Sequence, residues 1–246
     1  MTHTDKRIAI VTGAARGIGA AVAERLANDG FAVVINYANS AREAEALAAK
    51  LSKAGQRAIT VQADVAKAEE VRRMFDLVEA ELGKVSVLVN NAGIMNVQPL
   101  AETSDAVFEQ QFATNVQGTF NTMREAAGRM GDGDRIINFS TSVVGTNLPG
   151  YAVYAGTKAA VETFTRIFAK ELRGRNITVN AVAPGPVATD LFLAGKSEEL
   201  VQQLSKAAPM ERLGQPDDIA RVVSFLAGPD GGWINGQVVR ANGGLV

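Results

Sequence analysis

Short apolar segments alternate with longer amphipathic segments along the whole 246-residue chain. Several of the apolar segments are rich in β-branched residues and largely apolar on both faces, as in Ile8–Val11 and Val85–Val89. Such two-sided burial is typical of strands in a parallel sheet that helices cover on both sides. The alternation therefore predicts an α/β fold, a doubly wound parallel sheet of about seven strands with helices on both faces.

The same pattern assigns bounds to the individual elements. The predicted strands are Arg7–Thr12, Ala32–Tyr37, Arg57–Gln62, Ser86–Asn90, Arg135–Phe139, Thr178–Ala183 and Gln237–Arg240. The predicted helices are Gly19–Asp29, Ala41–Ala54, Ala68–Leu82, Asp105–Met130, Tyr151–Arg173 and Pro216–Leu226. No repeat, linker or low-complexity segment interrupts this order, so residues 1–246 are predicted to form a single domain.

One stretch, residues 184–214, departs from the regular alternation. It begins with Pro184-Gly185-Pro186 and continues into a helix-like run that carries Lys196 and Glu198. It follows the sixth predicted strand, at the carboxyl end of the sheet, where folds of this class bind their ligands. The position predicts a lid over a substrate, with an ordinary surface loop as the alternative.

Composition and charge narrow the functional class. The net charge is −1 and the isoelectric point about 6.0, so no strong field is available to hold nucleic acid or an anionic membrane surface. No apolar run reaches the roughly 20 residues of a membrane span. The chain has no cysteine, which excludes disulfides, cysteine nucleophiles and thiolate zinc sites and is compatible with a cytoplasmic protein.

The one histidine, His3, lies in a polar lead-in at the start of the chain. Histidine-dependent triads and metal sites with several histidines are therefore not expected, and no metal site is predicted. If the chain is an enzyme, tyrosine, lysine, aspartate or glutamate must supply its acid–base chemistry.

A glycine-rich turn, Thr12–Gly19, follows the first predicted strand and opens the first helix. Glycines at 13, 17 and 19 suit a turn whose backbone angles a Cβ forbids and which a pyrophosphate must approach closely. Free N–H groups and the helix dipole then attract the anion. The position predicts dinucleotide binding, with a purely structural turn as the alternative.

The end of the second predicted strand distinguishes the two nicotinamide dinucleotides. NAD sites usually carry a carboxylate there, on the ribose 2′-hydroxyl. This strand ends Asn36-Tyr37-Ala38-Asn39-Ser40 without one, while Arg16 lies in the glycine turn and Arg42 just beyond the strand. Arginine and hydroxyl groups accept a 2′-phosphate, so the sequence predicts NADP(H) rather than NAD(H).

Tyr154 and Lys158 are spaced i, i+4 on a predicted helix, which brings their Cβ atoms to about 5–6 Å. A free tyrosine has a pKa near ~10, and lowering it to about 7 needs roughly 4 kcal/mol of preferential stabilisation of the phenolate. A lysine ammonium in a partly dry site supplies energy of that order. The pair is a candidate acid–base device, although the same spacing also occurs by chance on helix surfaces.

The chain contains further motifs: Asn90-Asn91-Ala92-Gly93 after the fourth strand, Asn115 in Thr114-Asn115-Val116, Ser142 upstream of Tyr154, and Pro184-Gly185 followed by Thr189. With the glycine turn and the Tyr-x-x-x-Lys spacing, this order resembles the short-chain dehydrogenase/reductase family, in its short single-domain branch. The resemblance covers nearly the whole chain and is in parts similar to 3-oxoacyl-carrier-protein reductases, hydroxynaphthalene reductases and glucose dehydrogenases.

The resemblance implies roles for four residues. Tyr154 exchanges the substrate hydroxyl proton, while Lys158 lowers its pKa and binds the nicotinamide ribose. Ser142 hydrogen-bonds the carbonyl oxygen, and Asn115 supports a water that links Lys158 to solvent. Ser140 is the alternative to Ser142, because family members place the serine twelve to fourteen residues before the tyrosine and both positions fit.

The resemblance also implies a set of cofactor contacts. Asp64-Val65 is similar to the family's adenine-contacting pair, although Asp64 also suits a helix N-cap. The full expected set is Gly13, Arg16, Gly17, Ile18, Gly19, Asn36, Asn39, Ser40, Asp64, Val65, Asn91, Ala92, Gly93, Tyr154, Lys158, Pro184, Gly185, Val187 and Thr189.

Residues 1–246 are accordingly expected to form one dinucleotide-binding oxidoreductase domain that transfers a hydride between NADP(H) and a small carbonyl or alcohol, in a cytoplasmic homotetramer. The alternative is a catalytically silent NADP(H)-binding scaffold or sensor, and a sugar epimerase or dehydratase is disfavoured by the short chain. The substrate pocket is expected to be apolar, with its edge at Leu148, Pro149, Met95, Val97, Leu191 and Phe192.

Overall fold

A computed structural model describes residues 7–246, with the side chain of Leu191 also outside the description. The prediction for His3 and the predicted position of the Leu191 side chain at the pocket edge therefore lie outside the described part of the structure. Seven strands form one parallel sheet in the order β3-β2-β1-β4-β5-β6-β7. Their bounds are β1 Ile8–Val11, β2 Ala32–Tyr37, β3 Ala58–Gln62, β4 Val85–Asn90, β5 Arg135–Phe139, β6 Thr178–Pro184 and β7 Val238–Ala241.

Ten α-helical segments are present in the described chain: α1 Gly17–Asn28, α2 Ala41–Lys53, α3 Ala68–Glu81, α4 Asp105–Phe112, α5 Gly118–Arg129, α6 Val143–Thr146, α7 Ala152–Glu171, α8 Asp190–Leu193, α9 Glu198–Ser205 and α10 Pro216–Ala227. Between residues 7 and 246, no helix is both long and apolar enough to cross a membrane. The predicted doubly wound α/β fold is confirmed, because every predicted strand and helix has its counterpart.

Alternating side chains of the strands fill two separate cores, one on each face of the sheet. On one face, Ala9 and Val11 of β1 pack in the core with residues of α1, α2 and α10. On the other face, Ile8 and Ile10 of the same strand pack with residues of α3 and α5. This is the physical reason for the continuous apolar runs in the sequence, since a strand buried on both faces has no position for a polar side chain.

The strand order reverses between β1 and β4, and this reversal determines where the sheet is expected to bind a ligand. β1 pairs with β2 on one side and with β4 on the other, and all these pairings are parallel. The segments that leave β1 and β4 therefore diverge at the carboxyl edge and open a crevice between them, which is where sheets of this type bind ligands.

The predicted helix Asp105–Met130 differs in detail, because a π-helical turn at Ala113–Gln117 separates α4 from α5. Its centre is the fully buried Asn115, whose side chain bonds to Ile94 and Thr157. A single π turn inside an α-helix re-aims one side chain and is frequent at functional sites. The departure from a regular helix therefore follows from the contacts of one polar residue.

Candidate active site

Thr12 fastens the glycine turn after β1 to the Asn-Asn-Ala-Gly segment after β4. Its Oγ1 accepts hydrogen bonds from the backbone N–H groups of Asn91 and Ala92, each 3.0 Å long. The side-chain Nδ2 of Asn91 donates to the carbonyl oxygens of Thr12 and Gly13, at 2.9 and 3.0 Å. Two motifs that lie about eighty residues apart thus form one rigid floor at the carboxyl edge of the sheet.

The glycines of the turn are required by its geometry. Gly13 and Gly17 have φ values of +61° and +58°, in the left-handed region that favours glycine. A Cβ on Gly19 would overlap the carbonyl oxygen of Gly13 and lie 2.5 Å from Nδ2 of Asn91. The N-cap residue of α1, Arg16, makes no side-chain capping bond. The first amides of α1 are thus available to an anion, and the turn fits a dinucleotide pyrophosphate.

Asn36 was expected to contact the cofactor, but its side chain is committed to the protein. It is buried at the end of β2, where its Nδ2 donates to the carbonyl oxygens of Val61 and Ala63 at 3.2 and 3.0 Å. Its Oδ1 accepts from the N–H of Gly13 at 3.3 Å. Asn36 therefore holds the glycine turn against the end of β3, and its amide is not free for a phosphate.

The other residues expected near the ribose 2′-position are accessible. Arg16, Asn39 and Arg42 are exposed and Ser40 is partly exposed, at the carboxyl ends of the adjacent strands β1 and β2. No carboxylate occurs between Asn36 and Arg42. The local charge is therefore positive, and these residues fit the 2′-phosphate of NADP better than the free hydroxyl of NAD.

Asp64 and Val65 follow β3 in a bend that α5 holds in place. Asn121 donates to the carbonyl oxygen of Val65 at 2.9 Å. The carboxylate of Asp64 accepts from the N–H of Ala66 at 3.0 Å. The N-cap of α3 is Lys67, so the alternative expectation that Asp64 caps this helix is wrong. Asp64 instead shapes the bend that carries the two residues to the edge of the sheet.

Tyr154 and Lys158 lie on the first turns of α7, one turn apart, as the spacing predicted. The Nζ of Lys158 is 6.0 Å from the centroid of the Tyr154 ring and donates to the carbonyl oxygen of Phe139 at 2.9 Å. Lys158 is only 4% exposed. A buried lysine without a carboxylate partner is costly in free energy, which marks this position as a functional candidate.

The pKa values of the pair differ from the expectation that Lys158 lowers the pKa of Tyr154. Burial raises the pKa of Tyr154 to about 12, and a hydrogen bond with the side chain of Thr141 opposes this increase. Burial also lowers the pKa of Lys158 to about 8. Burial has the largest influence on both pKa values, and the phenol is protonated at neutral pH.

Asn115, in the π turn, is connected to Tyr154 by hydrogen bonds through Thr157. Its Nδ2 donates to Oγ1 of Thr157 at 3.1 Å, and that hydroxyl donates to the carbonyl oxygen of Tyr154 at 2.6 Å. A Cβ on Gly93 would lie 3.2 Å from Oδ1 of Asn115 and 3.3 Å from Nζ of Lys158. Asn115, Lys158 and Gly93 thus converge at one point, as the motifs predicted.

The two serines considered as carbonyl-binding groups have other partners. Oγ of Ser140 donates to Oε1 of Glu162 at 2.7 Å. Oγ of Ser142 donates to the carbonyl oxygen of Ala183 at 3.2 Å and accepts from Nδ2 of Asn242 at 2.9 Å. Both serines line the pocket, but each hydroxyl proton is directed to an acceptor within the protein.

Thr141, which lies between the two serines, was not among the predicted site residues. It is 9% exposed, lines the same pocket, and its side chain is hydrogen-bonded to that of Tyr154. The signal was present in the sequence, because Thr141 precedes Tyr154 by thirteen residues, the middle of the interval used to select the serine. A hydroxyl was sought only among serines, and threonine carries the same group.

The Pro-Gly turn after β6 closes the other side of the crevice. A Cβ on Gly185 would lie 2.8 Å from Cβ of Asn242, so this turn packs directly on the segment after β7. Thr189 caps α8 by accepting from the N–H of Phe192 at 3.2 Å, and its Cγ2 lies 3.6 Å from the position of a Cβ on Gly17. The structure thus brings the glycine turn and the Pro184–Thr189 segment together.

A cavity of about 300 Å³ lies above Tyr154, bounded by the segments described above. Residues of the 184–214 stretch form part of its wall, including Phe192 and Leu204. Lys158 is the only charged side chain among the described residues that line it. Of the predicted pocket residues, Met95, Leu148 and Phe192 line the cavity, whereas Val97 and Pro149 do not. The lining also contains residues that were not predicted, among them Ile94, Val143, Tyr151, Leu204 and Leu245.

Comparison with known proteins gives consistent matches over nearly the whole chain. A family model described as enoyl-(acyl carrier protein) reductase matches residues 13–246. A short-chain type dehydrogenase/reductase from Picea abies is 48% identical over 250 residues, which cover 98% of this chain and 92% of that protein. An NADPH-dependent aldehyde reductase-like protein, chloroplastic, from Arabidopsis thaliana is 44% identical, over 98% of this chain and 94% of that protein.

Solved structures give the same result for the fold. A short-chain dehydrogenase from Burkholderia cenocepacia J2315, crystallised in complex with NADP, superposes with a TM-score of 0.92. It is 37% identical to this chain, and the match covers 97% of each protein. The fold is therefore shared with a protein whose crystal structure contains NADP.

Proposed function

The chain belongs to the short-chain dehydrogenase/reductase family, and on that premise we propose that it is an NADP(H)-dependent carbonyl reductase. The observation that carries this function is the pair formed by the partly buried Tyr154 and the buried Lys158, which faces an apolar pocket beside a glycine turn that fits a dinucleotide. A phenol, an ammonium group and a hydride donor are sufficient for the interconversion of a carbonyl and an alcohol.

The residues around the crevice would hold the cofactor in an extended conformation. The amides of Gly17–Gly19 would bind the pyrophosphate, and Arg16, Asn39 and Ser40 the 2′-phosphate. Asp64 and Val65 would contact the adenine, and the segment 184–189 the nicotinamide side. When bound, NADPH supplies the hydride, and the protein supplies position and electrostatics.

Tyr154 would act as the proton donor in the direction of reduction. Its pKa of about 12 keeps the hydroxyl protonated at neutral pH, so the group is ready to protonate a carbonyl oxygen. In the direction of oxidation the same oxygen would accept the proton. Because the phenol is protonated at rest, it is in the form that reduction requires at neutral pH.

Lys158 and Asn115 would support Tyr154. A charged Lys158 would bind the nicotinamide ribose and attract the negative charge that remains on the phenol after proton transfer. Asn115 fixes the start of α7 through Thr157, so it sets the position of Tyr154 relative to the pocket. A water held near Asn115 and Lys158 would return a proton to the site.

We propose an uncharged aldehyde or ketone with an apolar substituent as the substrate. Met95, Leu148, Phe192 and Leu204 provide an apolar wall, and the described lining contains no cation other than Lys158 to bind a substrate carboxylate. The Arabidopsis relative named as an NADPH-dependent aldehyde reductase-like protein supports this class.

A panel of carbonyl compounds tests the proposed function. NADPH or NADH would be mixed with benzaldehyde, a medium-chain aldehyde or pyruvate, and the loss of nicotinamide absorbance would be followed. We expect turnover of both aldehydes with NADPH, slower turnover with NADH, and the poorest turnover with pyruvate. Tight NADPH binding without turnover of any carbonyl compound would instead favour a cofactor sensor.

The pH dependence of reduction is expected to follow the ionisation of Lys158. Because burial lowers the pKa of Lys158 to about 8, its ammonium form predominates below that pH and is lost above it. Tyr154 remains protonated throughout this range. We expect kcat/KM to be level below about pH 7.5 and to fall about tenfold per pH unit above about pH 8.5. A profile that rises through pH 8 would contradict this role of the lysine.

The oligomeric state is expected to be a homotetramer. Large apolar side chains are exposed on α4, α5 and α7, at Phe108, Phe120 and Ile167, and the side chain of Trp233 elsewhere in the sequence is 98% exposed. Exposed apolar side chains in different parts of the chain suit more than one contact between copies, which a tetramer provides. Sedimentation velocity at micromolar concentration should give four times the 25.9 kDa chain mass, and a monomer would refute the proposal.

We also propose that residues 1–246 act as one domain, because all strands in the described part belong to a single sheet. Within it, residues 184–214 would be the lid of the substrate pocket, since Phe192, Leu204 and Ala207 of this stretch lie in its wall. The cytoplasm is the proposed location, which suits a chain without cysteine.

A further inference from the structure

The acceptor of each hydroxyl proton distinguishes the side chains that could bind the substrate carbonyl oxygen. A serine or threonine hydroxyl has one proton to donate and two lone pairs that accept. A group that polarises a carbonyl oxygen must direct its proton into the pocket and not to an acceptor elsewhere in the protein. Three consecutive hydroxyl residues, Ser140, Thr141 and Ser142, follow β5 and line the pocket, so the comparison between them is direct.

The protons of both serines are already used. Ser140 donates to the Glu162 carboxylate at 2.7 Å, a charge-assisted hydrogen bond that a neutral carbonyl would not displace. Ser142 donates to the carbonyl oxygen of Ala183 at 3.2 Å and also accepts from Asn242. Ser142 thus connects the loop after β5 to strand β6 and to the segment after β7, which is a structural role.

Thr141 has the complementary arrangement. Its Oγ1 accepts a hydrogen bond from the N–H of Val143 at 3.3 Å, which leaves its proton for a group inside the pocket. The hydrogen bond between Thr141 and Tyr154 lowers the pKa of the phenol, as expected where the Thr141 hydroxyl donates to the phenol oxygen. Thr141 is therefore the hydroxyl that faces the proton-carrying atom of the site.

Backbone hydrogen bonds after β5 explain why the side chain of Thr141 lies beside Tyr154. The amides of Ser140 and Ser142 both donate to β6, at 2.8 and 2.9 Å, so the pairing with β6 continues past the end of β5. Successive side chains of an extended chain point to opposite sides. Because Ser140 is directed to Glu162 on α7, the side chain of Thr141 is directed to the other side, into the pocket beside Tyr154.

We infer that Thr141, and not Ser142 or Ser140, is the catalytic hydroxyl that binds the substrate carbonyl oxygen; this inference rests on the proposed function. During reduction, bound NADPH would supply the hydride for the new C–H bond as the C=O π bond breaks, and would become NADP⁺. The O–H bond of Tyr154 breaks and its proton forms the alcohol. Thr141 keeps its own proton and donates a hydrogen bond to the oxygen while charge develops there.

Four variants test the assignment, with kcat and KM for benzaldehyde measured at saturating NADPH. Thr141→Val replaces the hydroxyl by a methyl group of similar size, and Thr141→Ser keeps the hydroxyl. Ser142→Ala and Ser140→Ala are the matched controls. We expect Thr141→Val to lower kcat by about a hundredfold, since loss of one donor to a developing oxyanion has an effect of this order. Thr141→Ser should stay within about fivefold of the parent, and each serine variant within about tenfold.

Further measurements separate a catalytic loss from a structural one. NADPH affinity, measured by nicotinamide fluorescence, and the melting temperature should be unchanged in Thr141→Val. The assignment is overturned if Thr141→Val retains kcat within about threefold of the parent, or if Ser142→Ala causes the larger loss. Tyr154→Phe, assayed in parallel, separates the two proposals: if it is inactive while Thr141→Val is active, only the assignment of Thr141 fails.

Discussion

Replacement of Tyr154 by phenylalanine is expected to lower kcat for carbonyl reduction by about a thousandfold, because it removes the general acid and leaves the ring in place. The hydroxyl is the only part of the side chain that is lost, and its partner Thr141 remains. Binding of NADPH should change little, since Lys158 keeps its hydrogen bond to the carbonyl oxygen of Phe139. The predicted loss is therefore in kcat, with the cofactor affinity retained.

Tyr151→Phe is the matched control for this experiment. Tyr151 lies three residues earlier in the same pocket wall and is also partly buried, and burial raises the pKa of its phenol. The same atom is removed, but Tyr151 has no assigned role in proton transfer, so kcat should stay within about tenfold of the parent. If Tyr154→Phe behaves like Tyr151→Phe, the assignment of the proton donor is wrong.

Gly19→Ala is expected to have the largest effect on stability. The added Cβ would overlap the carbonyl oxygen of Gly13 and lie 2.5 Å from Nδ2 of Asn91. Both atoms belong to the floor of the cofactor site, and backbone cannot move as a flexible side chain would. We expect the free energy of unfolding to fall by about 3 kcal/mol, which corresponds to a melting temperature lower by about 6–12 °C. NADPH affinity should fall by at least about tenfold, because the amides of the turn are displaced.

Gly156→Ala provides the comparison, since Gly156 is on the exposed side of α7 and has nothing within 4 Å of its Cβ position. Alanine is a better helix former than glycine, so this variant should gain about 0.5–1 kcal/mol. Calorimetry and NADPH titration of the two variants measure both effects. Equal melting temperatures for Gly19→Ala and the parent would show that the turn tolerates a Cβ, against the geometry described here.

The sheet was predictable because its causes are local in the sequence. Strands buried on both faces leave continuous apolar runs such as Ile8–Val11, and the parallel order follows from the helices between them. The glycine turn and the i, i+4 spacing of Tyr154 and Lys158 are also local signals. Each involves a few neighbouring residues whose conformation the chain itself determines.

The features that the sequence did not predict depend on contacts between residues that are distant in the sequence. The π turn at Asn115 depends on bonds to Ile94 and Thr157, which are 21 and 42 residues away. The commitment of Asn36 to the backbone after β3 depends on the pairing of β2 with β3. No pattern within one element encodes these partners, so the sequence predicted a regular helix and a free amide.

The choice among the three hydroxyls after β5 required the same tertiary information. Spacing to Tyr154 admitted all three residues, and only the bonds of Ser140 to Glu162 and of Ser142 to Ala183 and Asn242 separate them. The raised pKa of Tyr154 could not be predicted from the sequence either. The spacing indicated a nearby positive charge, whereas the burial that raises this pKa follows from the fold.

Transfer of a labelled hydride tests the central claim most directly. The purified protein would be incubated with benzaldehyde and NADPH carrying deuterium at the transferable position of the nicotinamide, and the alcohol analysed by mass spectrometry. We predict one deuterium at the carbinol carbon of each product molecule in the parent protein, and no product above background in Tyr154→Phe. Alcohol without deuterium, or labelled alcohol formed equally well by Tyr154→Phe, would contradict hydride transfer with Tyr154 as the proton donor.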